Sequence, residues 1–174
     1  MKILTRSMIL VAGLGLAACT DAGRFGRGND GAGGATPASV PAGPVAGSAQ
    51  DPRSPLYFQQ TIGDRVLFEV DSATLTAGGK HTLDGQASWL TTNSDYTAVI
   101  EGHADEQGTR EYNLALGARR ANAAREYLLS RGLPASRLKT VSYGKERPIE
   151  ICSQESCYAK NRRAVTILST GVSS

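Results

Sequence analysis

Along the chain the spacing of apolar positions changes several times, and each change marks an element. Arg65–Val70 (RVLFEV) is a short apolar run of alternating character, which predicts a strand. A polar turn follows, then a segment from about Gly79 to Thr92. There Leu83, Ala87 and Leu90 fall at i, i+4 and i+7 and give a helix one buried stripe. Tyr96–His103 (YTAVIEGH), introduced by Asn93-Ser94-Asp95, reads as a second strand. The longest helix is expected from about Arg110 to Ser130. Thr109 serves as its N-cap, Gly132 stands just past its end, and Pro134 blocks continuation. Leu138–Tyr143 (LKTVSY) and Ala164–Ser169 (AVTILS) are further strands, separated by an irregular stretch. The order βαβα then ββ predicts an α/β (α+β) sandwich, two helices on one face of a mixed four-stranded sheet.

The first 55 of the 174 residues obey none of these periods. Lys2 and Arg6 precede an apolar run, Met8–Ala18, whose length at about 1.5 Å per residue falls short of a hydrocarbon core of roughly 30 Å. This predicts a signal peptide over residues 1–18. The run ends in Leu16-Ala17-Ala18-Cys19, which resembles a bacterial lipobox with Cys19 as the lipidated residue. Thr20, where an aspartate would resemble the inner-membrane retention signal, points to an outer-membrane lipoprotein held stably by several acyl chains. Residues 19–55 are rich in Gly, Pro and Ala and predict a flexible tether, roughly 30–36 Å across as a coil and about 120 Å when stretched. That leaves 56–174 for a single folded domain. Without Lys2 and Arg6 the formal charge drops from +3 to about +1, which excludes the electrostatics of a general nucleic-acid binder. A hydrophobic content of 40% excludes a polytopic membrane protein.

The stretch Glu101–Ala121 (EGHADEQGTREYNLALGARRA) concentrates the candidate chemistry. Asn113, Gly117, Arg120 and Ala124 are spaced to share one helix face, and the small neighbours Gly117 and Ala124 are expected to leave Arg120 in an open notch. A guanidinium is a rigid fork suited to a carboxylate. Asp105 lies in the loop feeding the same helix, so the pair offers one charge to each end of a zwitterion; on spacing alone a structural ion pair between them fits as well. Enzymatic readings are thinner. Glu101, His103 and Asp105 alternate along a strand, but with only two histidines a closed zinc site needs carboxylates or both remaining cysteines. His103 is expected to bond locally or support the groove. Ser136 and Lys139 match the S-x-x-K of penicillin-recognising enzymes without either companion motif. No catalytic residue, cofactor or metal is expected.

These residues also carry a family resemblance. The pattern Asn113, Leu116, Gly117, Arg120, Ala121, Ala124, Leu128, together with the strings TLDGQASWL, VSYGKERP and AKNRRAV, resembles the OmpA-like peptidoglycan-binding domain family, in its peptidoglycan-associated lipoprotein (Pal) branch. The resemblance spans 65–169. It implies a non-enzymatic grip on meso-diaminopimelate of the peptidoglycan stem peptide, with Asp71, Asp105, Asn113, Leu116 and Arg120 at the site. It also implies that Phe68-Glu69-Val70-Asp71 lines the groove, with Val70 where some relatives carry phenylalanine. TolB and TolA of the Tol system follow as partners in envelope constriction at division. The alternatives are a generic wall-anchoring lipoprotein outside Tol and a wall hydrolase. In an oxidising periplasm Cys152 and Cys157 are expected to form a disulfide. Lys160, Arg162 and Arg163 read as a solvated basic face or as a contact to the glycan.

Overall fold

The computed structural model describes residues 43–170, so the leader, Cys19 and most of the expected tether lie outside the described residues. Four strands form one sheet in the order β1-β4-β2-β3: β1 (Arg65–Leu67), β2 (Tyr96–His103), β3 (Leu138–Gly144) and β4 (Arg163–Thr170). β2 is parallel to β3, whereas β4 is antiparallel to both β1 and β2, with Ile100 opposite Thr140 on one side and Thr166 on the other. The sandwich with a mixed four-stranded sheet is therefore present. Helices α2 (Ala77–Thr92) and α3 (Arg110–Ser130) are its two long helices. Leu83 and Leu90 of α2 and Ala121, Ala124 and Leu128 of α3 belong to one core with Ala98 and Ile100 of β2. Removing each large apolar side chain from water contributes about 1.5–3 kcal/mol.

Thr109 caps α3 by accepting from Tyr112 N, and Gly132 ends it at φ +92°. Helix α2 starts two residues earlier than its apolar stripe suggested, because Thr76 Oγ1 accepts from Gly79 N at 3.0 Å and sets the cap. Strand β1 stops at Leu67, short of the expected Val70. Phe68 N still reaches Arg162 O at 2.9 Å, but Ser72 N then turns back to Glu69 O and Asp71 sits at φ +51°. Three shorter helical pieces carried no periodicity to reveal them. They are α1 (Pro55–Tyr57) running into a π-helix (Phe58–Gly63), a 3₁₀ turn (Ala135–Arg137) and α4 (Glu155–Asn161).

Packing also begins upstream of the expected boundary at residue 56. Pro52 O accepts from Trp89 Nε1 at 2.7 Å, and Ser54 is buried as the cap of α1. Among the described residues no helix is long and apolar enough to cross a membrane.

One close approach fixes where α3 sits. A Cβ on Gly102 of β2 would fall 1.8 Å from the Gly117 carbonyl oxygen, and one on Gly117 would fall 2.5 Å from Ser142 Oγ. Both glycines are needed for the helix backbone to lie directly on the strands.

Candidate functional site

The candidate residues converge where the end of β2, the first half of α3 and the loop after β1 meet. Arg120 is fully buried, at 0% exposure. Its Nε donates to Ser72 O at 2.8 Å, Nη1 to His103 O at 2.9 Å and Nη2 to Glu69 O at 3.1 Å. The Phe68 ring lies 5.3 Å from the guanidinium carbon. Burial pushes its pKa down to about 10 while the Asp105 charge opposes the shift, so Arg120 stays charged at neutral pH. The open notch expected around it is absent. Gly117 is used for the approach of α3 to β2, Ala124 belongs to the core, and residues 69–72 close over the head group.

Asp105 is also buried, but its direct partner is Arg162 rather than Arg120. Arg162 Nη1 donates to Asp105 Oδ2 at 3.1 Å, and Gln107 N to Asp105 Oδ1 at 3.3 Å. Asp71 is exposed in the turn after β1, its carboxylate accepting from Tyr112 OH. Asn113 and Leu116 support the site without opening onto it. Asn113 Nδ2 donates to Gln107 O at 2.7 Å, tying α3 to the loop that carries Asp105, and Leu116 is buried. Val70 is exposed beside Asp71, with no aromatic ring of its own to offer.

The basic residues at the end of α4 and just after it are a solvated face only in part. Lys160 is at the surface, paired with Glu150 at 2.8 Å, but Arg162 and Arg163 are both only 4% exposed. Arg163 donates to Arg147 O and Asn161 O. Arg162, expected at a solvated face or against the glycan, has instead a role inside the site that the sequence did not reveal: besides Asp105 it donates to Phe68 O at 3.2 Å and to the Glu155 carboxylate. Burial works against its charge, yet Glu155 and Asp105 together raise its pKa. No spacing signalled it, because Arg162 lies just past the end of α4 and its partner Asp105 is far away in the chain.

His103 departs from expectation in its side chain. It is buried, and neither ring nitrogen has a hydrogen-bond partner. Burial, reinforced by Arg163 and Arg147, lowers its pKa to about 4. The imidazole is therefore neutral at pH 7, and the 3.6 Å separation from Glu101 Oε2 is no ion pair. Its contribution to the site is its backbone carbonyl, on Arg120. Among the described residues no group of three or more His, Cys, Asp or Glu side chains is placed to hold a metal ion. Cys152 and Cys157 are bonded to each other, with Cα atoms 6.0 Å apart. A cavity of about 470 Å³ lined by Leu56, Phe58, Ile167 and Leu168 contains none of these groups.

The arrangement thus holds a buried carboxylate and a buried, charged guanidinium that feel each other without touching, beneath a turn bearing a second carboxylate. The OmpA family model matches residues 67–162, which include all of these groups. The chain belongs to the OmpA family. Within it, the chain is 51% identical over 173 residues to the peptidoglycan-associated lipoprotein of Mesorhizobium japonicum, covering 95% of this chain and 94% of the relative. It is 47% identical over 178 residues to that of Agrobacterium fabrum, covering 97% and 91%. The crystal structure of the peptidoglycan-associated lipoprotein from Burkholderia pseudomallei superimposes with a TM-score of 0.62 at 36% identity, covering 70% of this chain and 98% of that one. The C-terminal domain of Helicobacter pylori MotB, at 22% identity and a TM-score of 0.58, shares the fold.

Proposed function

We propose that this protein is anchored in the outer membrane through lipid on Cys19 and grips peptidoglycan non-covalently, tethering membrane to wall without catalysing a reaction. The ligand is the distal end of meso-diaminopimelate: its ammonium goes to Asp105 and Asp71, and its carboxylate to Arg120. The observation that carries this reading is the paired burial of Asp105, in the loop before α3, and Arg120, midway along it, with Arg120 still charged. Arg120 uses three of its five N–H groups on backbone carbonyls, and a carboxylate reaches the other two once the turn over residues 69–72 shifts aside. The names of the relatives support the wall as partner. Work with TolB and TolA in envelope constriction at division is part of the same proposal and rests on the family resemblance.

The test is co-sedimentation of the purified protein with peptidoglycan sacculi, with free meso-diaminopimelate as competitor. The protein is expected in the pellet, released by the competitor, with no muropeptides in the supernatant. Failure to pellet would sink wall binding, and muropeptide release would show a hydrolase instead.

A further inference from the structure

Helix α4 supplies no residue assigned above to the ligand, yet its C-terminal end holds the acidic loop after β2 at two points. Asn161, fully buried, donates from Nδ2 to Glu106 Oε1 at 2.6 Å. Arg162, the next residue, donates to Asp105 and to Phe68 O. The remaining side of that guanidinium is closed by Glu155 in the first turn of α4, whose two oxygens accept from Nη1 and Nη2. Glu155 in turn lies between the two bonded cysteines, Cys152 and Cys157. The segment closed by the disulfide therefore carries Glu155, and contacts run on from Glu155 through Arg162 to Asp105.

The charges along that line matter for a cationic ligand. Two carboxylates, Asp105 and Glu155, share one guanidinium, which leaves one negative charge for an ammonium to meet. Without Glu155 the whole Arg162 charge falls on Asp105, and the guanidinium becomes free to take both carboxylate oxygens in a fork-to-fork pair. That pair would compete directly with the ligand.

We propose that Arg162 is a positioning residue for Asp105, and that the Cys152–Cys157 disulfide fixes Glu155 so that Arg162 is shared between two carboxylates; cutting the disulfide weakens the hold on the wall. The proposal rests on Asp105 contacting the ligand. Reduction breaks the S–S bond and leaves two thiols. A dithiol supplies the electrons and protons and closes to its own disulfide.

The experiment uses the purified full chain, oxidised and in detergent, titrated against sacculi before and after dithiothreitol, beside Glu155→Ala and Glu155→Gln. Reduction and Glu155→Ala should each raise the apparent Kd roughly three- to tenfold. Glu155→Gln, which keeps an acceptor, should lie between Glu155→Ala and wild type. Reducing the Glu155→Ala protein should change nothing further, because the line is already cut. Equal binding by oxidised and reduced wild type would remove the inference and leave the site standing. So would additive losses on reducing Glu155→Ala, which would show that the disulfide acts by loosening the domain at large. Oxidised wild type that fails to sediment, or that meso-diaminopimelate does not displace, takes down the site and the inference together.

Discussion

At the scale of single residues, burial and charge decide what each variant does. Arg120→Ala strands three carbonyls and Asp105→Ala takes from the buried Arg162 one of its two carboxylates, so both are expected to lower stability as well as sacculus binding. On the proposed reading each costs roughly 2–5 kcal/mol of binding, about 30-fold to several thousand-fold in Kd. Arg120→Lys keeps the charge but loses the fork, and should also fail to bind. Arg119, exposed beside the Tyr112 ring, is the control and should tolerate alanine. Sedimentation and melting temperature measured on the same samples separate lost binding from lost folding. His103 makes a different prediction. Its folded pKa of about 4 lies below the ordinary 6.5, so the unfolded chain binds the proton more readily. Its contribution is complete above about pH 6.5 and is lost as the pH falls to 4, by roughly 3 kcal/mol. Urea titrations at pH 7 and pH 4.5 should show that loss in wild type and less of it in His103→Gln. Sequence spacing placed Asp105 and Arg120 in one region but could not assign partners. Arg162 lies 57 positions from Asp105, and no local pattern encodes that pairing.

At the scale of elements, the periodic segments were legible and the aperiodic ones were not. β2 and α3 fall where alternation, the Thr109 cap and Gly132 put them, because half-buried strands and one-sided helices must repeat their apolar positions. α4 and the π-helix bury too little in any regular order to leave such a trace. Gly117 was legible as small but not for the right reason, since the strands it touches come from elsewhere in the chain. Gly117→Ala should therefore cost about 1–3 kcal/mol or more, as its Cβ would meet Ser142 Oγ at 2.5 Å and the Gly102 backbone oxygen at 2.8 Å. Chemical denaturation checks this. A midpoint equal to wild type would show that α3 can lift off β2 without penalty.

At the scale of the whole molecule, the proposed anchor and the wall grip are joined by the chain between Cys19 and Pro52. Cys19→Ser should leave an unlipidated protein outside the outer-membrane fraction while its purified form still sediments with sacculi. Outer-membrane fractionation of the serine variant would remove the lipobox reading. The β1–β4 pairing carries one more consequence. Arg65 lies opposite Val165, so strands 100 positions apart must find each other. Glu69 and Ser72, which hold Arg120, follow the first of these strands, and Arg162, which holds Asp105, immediately precedes the second. Long-range closures of this kind carry the largest entropy cost and form slowly. On the proposed reading, a chain folding from its N-terminus holds no wall until its end is in place, because the grip is completed only when the last strand closes on the first.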